Sequence, residues 1–571
     1  MMRIRGPTSY KARIIALASI AIVYVLYVTF PGLGSTSFNG TPSRQNGFSW
    51  FGSGKPKWPR NTVQYPFKEN GIVAENKEKA EKVKRAMQRT FWKYKVGAWG
   101  RDEIKPVSGD GRTTRNGWAA TIVDTLTTTA LMGLEEEFKL ELNFTIKGID
   151  FNDALGLVDP FETTIRYLGA LVSTVDLIDA GILSKGLVSQ YDRHDVLSQA
   201  VSLATKLAPG FDSPTGMIWP RINFTTNQGC REHLDQRPIP GFAHATIGPA
   251  RAGSNWLENK VLSKLTGKVE YELNATRAWK PLVWNRYIEE WPGLIDSPID
   301  IVTGAPVDRH RSWGAGHDSY YEYLIKAHIL APHDPNTSKY RDRWIQAVES
   351  TMKNLVSWSA PAEGKKSKLF LSQWKNGWLL NEMGHLACFA GGNFLLGGKY
   401  LGREDIVQFG LDVIDACHET YVGSTTRIGP EYFSWIPADT APNATYEPQH
   451  ETQYKQLKSL GYWVTDAKWV LRPETVESYF YAYRITGNRM YQEWAWDAFN
   501  AFTKAAEVEF GYAEVKDVTK PAGPDNIIDK AESFWGAETL KYLYLTFTSE
   551  DIGSLDEWVF STEAHPFKVI R

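Results

Sequence analysis

In the stretch Arg472-Pro473-Glu474-Thr475-Val476-Glu477-Ser478, two carboxylates stand three residues apart, behind a proline and ahead of the aromatic run Tyr479-Phe480-Tyr481. Proline suits the first position of a helix, so the spacing predicts that Glu474 and Glu477 share one face of its opening turns. The positive end of a helix favours an ionised acid, which would hold Glu474 ready to accept a proton from water. First-turn acids also serve plain helix capping, so the chemical reading depends on partners.

Candidate partners are present. Asp159-Pro160-Phe161-Glu162 reads as an N-cap, a first-turn proline and a third-position glutamate, while Gly314-Ala315-Gly316-His317-Asp318-Ser319 is a glycine-rich loop leading into a helical run over residues 320–327. Each has a structural alternative: Glu162 could close a capping box with Asp159, and Ser319 could do the same with Glu322. In a ring of helical hairpins, however, the inner helices all start at one end, and such acids converge in one funnel. Convergent carboxyls suit glycoside hydrolysis, in which one protonates the leaving oxygen while another activates water or attacks the sugar. Their separation tells inversion from retention, and sequence does not supply it.

The C-terminal run Phe560-Ser561-Thr562-Glu563-Ala564-His565-Pro566 is polar for a terminus. Thr562 offers a carbonyl and a hydroxyl oxygen, and Glu563, Glu538 and Glu477 could add carboxylates directly or through water. Oxygen donors without paired Cys or His point to a hard cation such as calcium. No EF-hand, P-loop or G-x-S-x-G motif competes; the glycine-rich segment 391–398 lacks the strand-turn-helix context that phosphate binding requires.

The elements that would position these residues are helical. Val83, Ala86, Met87, Thr90, Phe91 and Tyr94 recur at three and four residues, as an amphipathic helix requires, and the chain then repeats apolar helix, turn, apolar helix. Long alternating patterns are scarce, which predicts an all-α or mostly α fold. Lys264-Leu265-Thr266-Gly267, with Tyr271 and Ala278, parallels Arg484-Ile485-Thr486-Gly487, with Tyr491 and Ala498 at the same offsets. Two hairpins built alike suggest a closed ring or a solenoid. No linker interrupts residues 74–571, which are expected to form one domain.

Upstream, residues 14–30 form 17 uncharged, mostly apolar residues preceded by Arg3, Arg5, Lys11 and Arg13. The positive-inside rule predicts a cytosolic tail at 1–13, a transmembrane signal anchor at 14–30 and a lumenal stem at 31–73, giving a type II membrane protein of the endoplasmic reticulum or Golgi. A cleaved signal peptide has the same charge pattern; the length of the apolar core and the lack of an A-x-A site favour the anchor. Six N-x-S/T sequons, at Asn39, Asn143, Asn223, Asn274, Asn336 and Asn443, agree with a secretory route. Three cysteines are too few for a disulfide scaffold, and one bridge plus one spare thiol is the natural arrangement. With 43% hydrophobic residues, 23% charged residues and a formal net charge of -1, the 571-residue chain can build a large core and has no general attraction for nucleic acid. Its 22 Trp and 26 Tyr offer flat faces that suit sugar rings, although core packing claims most of them.

Several blocks in fixed order carry a family resemblance: residues 117–134 (GWAATIVDTLTTTALMGL), 161–166 (FETTIR), 318–326 (DSYYEYLIK), 385–389 (HLACF), 471–488 (LRPETVESYFYAYRITGN), 532–547 (ESFWGAETLKYLYLTF) and 560–566 (FSTEAHP). Together they resemble the class I α1,2-mannosidases, glycoside hydrolase family 47. The resemblance implies an (αα)7 barrel, a calcium ion at its base and inverting hydrolysis of terminal α1,2-linked mannose from high-mannose N-glycans. It matches the family's acid to Glu162, its other catalytic carboxylates to Asp318 and Glu474, and its metal-binding threonine to Thr562. Arg166, His385, Arg472, Glu477, Phe534, Glu538 and Glu563 match positions that line the sugar site or hold calcium-bound waters. Cys388 and Cys417 match the family's disulfide pair, and closing that loop would contribute roughly 3.5 kcal/mol in the chain-entropy model. A monomer is expected.

The chain departs from the family pattern in places. Thr127 stands where D-A-L-D-T carries its second acid, and Asn259 replaces an aromatic. These two changes motivate a lectin-like alternative with weak catalysis. A second alternative, a degradation-enhancing mannosidase-like protein, is disfavoured by Cys388 and Cys417, which that branch generally lacks. In members that remove mainly one mannose, an arginine stands two residues before the aspartate matched by Asp318. Here that position is Gly316, which implies stepwise trimming of several α1,2-mannoses, as in the Golgi-like and fungal members.

Overall fold

The computed structural model describes residues 62–232, 244–285, 289–439 and 447–571. The expected tail, the anchor at 14–30, the stem up to residue 61 and the sequons at Asn39 and Asn443 lie outside the described residues. Among the described residues no helix is long and apolar enough to cross a membrane.

Helix α1 (Lys77–Ala98) starts where the Asn76 side chain accepts the Lys79 amide, and it buries Val83, Met87, Phe91 and Tyr94 along one stripe. The remaining helices form hairpins of an inner and an outer member. They are α2 (Ala120–Leu131) with α3 (Glu135–Lys147), α4 (Gly169–Asp179) with α5 (Gln190–Leu207), and α6 (Trp256–Thr266) with α7 (Glu270–Val283). Next come α8 (Asp318–Leu330) with α9 (Thr337–Asn354), α10 (Phe389–Leu401) with α11 (Glu404–Gly423), and α12 (Glu474–Thr486) with α13 (Arg489–Ala506). The last inner helix, α14 (Leu540–Phe547), packs on α1, so the two ends of the domain complete one hairpin.

Each inner helix packs on the next, and the turn Trp535–Thr539 ahead of α14 returns to α2, which closes an all-α barrel. Inner helices are surrounded by protein and leave little surface to solvent; α8 is buried from Ser319 through Leu330. The internal repeat noted in sequence is two such hairpins: Gly267 and Gly487 are left-handed C-caps at φ +72° and +69°, ending α6 and α12. The glycine-rich segment 391–398 serves close helix approach, since a Cβ on Gly410 of α11 would lie 2.8 Å from the Gly391 carbonyl oxygen.

The connections carry short antiparallel strands that the all-α expectation left out. A five-stranded sheet has the order β5-β4-β3-β2-β1, with β1 Thr246–Ile247, β2 Ser297–Asp300, β3 Pro306–Arg311, β4 Gln373–Lys375 and β5 Trp378–Leu380. A disulfide joins Cys388, just before α10, to Cys417 of α11, with Cα atoms 6.0 Å apart, and Cys230 is the spare thiol.

One boundary differs from the sequence reading. Residues 62–73, assigned to the stem, pack on the barrel: Val63, Tyr65 and Phe67 are buried, the Tyr65 amide donates to the Arg484 carbonyl, and the Val63 amide donates to Asp556. Three apolar residues spaced by two are too short a pattern to stand out directly after a stretch rich in Gly, Ser and Pro.

Candidate active site

Asp318 opens α8 and Glu474 opens α12, while Glu162 ends the turn Pro160–Glu162 that leads through a π-helical segment, Thr163–Leu168, into α4. Parallel inner helices bring these starts to one end of the barrel, where they line a cavity of about 610 Å³. Arg166, Arg472, Glu477, Phe534, Glu538, Thr562 and Glu563 line the same cavity. Both π-helical segments carry site residues, Arg166 in the first and Glu538 in the second.

The capping alternatives are not what the side chains do. Asp159 accepts the Phe161 amide at 3.0 Å and its other oxygen meets Arg221 and Arg251, but the Glu162 carboxylate turns away to Arg166 Nε at 2.8 Å and Arg115 Nη1 at 3.1 Å. Glu322 pairs with Lys326 rather than with Ser319. Arg166 is buried and shared: its Nη1 also meets Glu563, Ser533 Oγ at 3.1 Å and Asp124 at 3.4 Å, and its guanidinium carbon lies 5.6 Å from the Phe534 ring centre.

His385 stands behind Glu474. Its Nδ1 lies 2.7 Å from Glu474 Oε2 and its Nε2 lies 2.7 Å from the Tyr421 hydroxyl, so the imidazole aligns the carboxylate. Arg472 reaches Glu474 at 3.5 Å, while its main partner is Glu431, at 2.9 Å from Nε.

The carboxyls fall into distinct protonation states. Burial raises the proton affinity of Glu474, but the Arg472 charge and the His385 contact outweigh it and hold the group below its ordinary value. Burial likewise opposes ionisation of Glu162, and the charges of Arg166 and Arg115 again win. Asp318 has no such cation, and burial pushes it up to about 7. Burial also raises Glu477, Glu538 and Glu563 well above the usual range; neighbouring carboxylates add to the rise, among them Glu322 beside Glu477 and Glu563 beside Glu538.

That crowd of buried acids around Thr562 fits a hard cation. The donors are oxygens only, and the mutual repulsion of Glu477, Glu538 and Glu563 is what a divalent charge would relieve. Among the described residues no three His, Cys, Asp or Glu side chains stand close enough to ligate a metal together.

Residues 86–569 match the model of glycosyl hydrolase family 47. The chain belongs to this family. Its relatives include the mannosyl-oligosaccharide alpha-1,2-mannosidase of Coccidioides posadasii, 38% identical over 503 residues that cover 86% of this chain and 91% of the relative. The enzyme of the same name from Penicillium citrinum is 36% identical over 527 residues, covering 90% and 97%. Among solved structures, the alpha-1,2-mannosidase from Trichoderma reesei superposes with a TM-score of 0.80 at 34% identity, covering 87% of this chain and 100% of that one.

Neither departure from the family 47 pattern reaches the cavity wall. Thr127 is buried, with its hydroxyl 2.9 Å from Lys541 Nζ and 3.1 Å from His565 Nδ1, and Asn259 donates to the Asn255 carbonyl at 2.7 Å. Sequence reasoning missed Glu322, Arg115, Arg251 and Glu431. Glu322 was discoverable, being one helical turn beyond Asp318 on the same face; the other three lie outside the motifs that carry the carboxylates.

Proposed function

We propose that this protein is a calcium-dependent, inverting α1,2-mannosidase that trims terminal mannose from high-mannose N-glycans. The observation that carries the reading is the convergence of Glu162, Asp318 and Glu474 in one funnel, where Glu162 and Glu474 are held ionised and Asp318 is pushed up to about 7, with Thr562 lining the same cavity. Glu474, ionised and aligned by His385, accepts the proton of the attacking water. Glu162, the family's acid by resemblance, is held ionised by Arg115 and Arg166, so in this role it must first take up a proton, which it then passes to the leaving oxygen through a water molecule. Phe534 gives the sugar an apolar face, and Arg166 and Arg472 fix the carboxylates around it. Thr562 would hold the cation by its carbonyl and hydroxyl oxygens, with Glu477, Glu538 and Glu563 holding its waters. Bound there, calcium supplies positive charge that orients sugar hydroxyls.

A second assignment of the acid is favoured by one observation: Asp318, not Glu162, keeps its proton near neutrality. On this assignment Asp318 protonates the leaving oxygen and Glu162 positions it. The lectin-like alternative loses most of its motivation, because neither Thr127 nor Asn259 lines the cavity and both are satisfied by hydrogen bonds to other residues. A lumenal setting for a type II protein is part of the proposal and is supported by the disulfide and by Asn143, which is exposed, with Asn223, Asn274 and Asn336 partly so.

The test is incubation of the purified protein with a free high-mannose glycan. Mannose released without a partner protein, first detected by NMR as the β-anomer, is the expected outcome. Binding without release would overturn the enzymatic reading, and initial α-mannose would overturn inversion. A product that stalls after loss of one mannose would overturn stepwise trimming.

A further inference from the structure

A second cavity, of about 150 Å³, lies behind the 314–317 turn, and Ala315 lines both it and the catalytic funnel. A neighbouring three-stranded sheet contributes residues 382–384 and Tyr432 to its wall, and the five-stranded sheet contributes His310 and Gln373. One sheet face is covered, because Arg311 stacks on Trp374 and Trp291, with its guanidinium carbon 4.5 Å and 4.6 Å from the two ring centres. Strand alternation puts His310, Gln373, Lys375 and Trp378 on the opposite face, since Lys375 is paired with both His310 and Trp378. His310 and Gln373 line the cavity, with His310 Nε2 3.1 Å from Gln373 Oε1, and Glu382 and Tyr432 bring a carboxylate and a phenol to its wall. Trp378 is 69% exposed on the same face.

We propose that this cavity is a second sugar subsite, which takes a mannose ring from another branch of the glycan whose terminal residue occupies the funnel. The inference rests on the mannosidase reading above. Amide, carboxylate and hydroxyl groups gathered in a small cavity suit the ring of hydroxyls on a hexose, and an exposed indole on the same face offers the flat apolar surface against which a pyranose stacks. The two cavities meet at Ala315, and Gly316 beside it has φ +89° with no atom within 4 Å of where a Cβ would stand, so no side chain of its own crowds the rim there. Trp378 and Gln373 thereby set branch preference and not the bond-breaking step.

The experiment compares two substrates. Trp378→Ala and Gln373→Ala should each raise KM for the intact high-mannose glycan roughly three- to tenfold, the scale of a lost stacking or hydrogen-bonding contact. Neither should change kcat, nor KM for the disaccharide α1,2-mannobiose, which is too short to reach the second cavity. The order in which branches are trimmed should change with the glycan KM. An unchanged glycan KM in both variants would overturn the subsite, and so would an equal rise for mannobiose, which would mean the funnel itself had been disturbed. Glycan affinity measured by calorimetry in the Glu474→Gln background, with and without Trp378→Ala, gives a reading independent of turnover. If the wild type releases no mannose, the function above fails while this binding difference still decides the subsite.

Discussion

Glu474 is poised by one neighbour close in sequence and one far from it: the Arg472 guanidinium at 3.5 Å and the His385 imidazole at 2.7 Å keep a buried carboxyl ionised. Glu474→Gln keeps the shape and removes the proton acceptor, so kcat should fall by about a hundred- to ten-thousand-fold with the circular dichroism spectrum unchanged. Turnover within tenfold of wild type would show that Glu474 is not the base. The pH profile separates the two assignments of the acid. Glu474 must be ionised, and with its proton affinity lowered, the acid limb of kcat/KM should lie under the ordinary glutamate value of about 4.3. Asp318 releases its proton as pH rises through about 7. If it is the donor, activity falls above that pH and Asp318→Asn removes the limb along with most of the rate. If Asp318→Asn keeps most of the rate, Asp318 is not the donor and the acid role falls to Glu162, whose lowered proton affinity gives no limb of its own near pH 7.

The elements explain why these residues stay where the chemistry needs them. Cys388 precedes α10 by one residue and Cys417 sits within α11, so the disulfide ties an inner helix start, and with it His385, to the outer layer. The strap at residues 62–73 acts at the C-terminal ends of the inner helices, where Gln64 Oε1 accepts Arg484 Nη1 at 3.1 Å. Val63, Tyr65 and Phe67 each bury side chains worth roughly 1.5–3 kcal/mol. A chain beginning at residue 74 should therefore melt several degrees below one beginning at residue 57, with the same KM for mannobiose. Equal melting temperatures in differential scanning calorimetry would mean that the strap adds nothing to stability.

At the scale of the whole molecule, a ring of parallel inner helices concentrates negative charge at one end, and a cation there should stabilise the fold as well as the substrate. Calcium at a hundred times its dissociation constant should add about 2.7 kcal/mol of stability. Dialysis against a chelator should lower the melting temperature and abolish activity, and Thr562→Val should weaken both calcium and glycan binding; full activity in stringently metal-free buffer would refute the metal's role. The sequence by itself determined the helical class and the helix starts, because those signals lie within a few residues: Pro473 ahead of Glu474, the Asp159 cap ahead of Glu162, Gly267 and Gly487 at helix ends. It also carried the family motifs, and with them the three central carboxylates and Arg166, Arg472 and Thr562 of the funnel. Tertiary structure alone decided the rest. Arg115 and Glu431 reach the site from loops whose course depends on ring closure, and the strap's docking depends on contacts with Arg484 and Asp556 far along the chain. The raised proton affinity of Asp318 against the lowered ones of Glu162 and Glu474 also belongs to the folded state, since burial and the approach of Arg115 and His385 are properties of the assembled barrel.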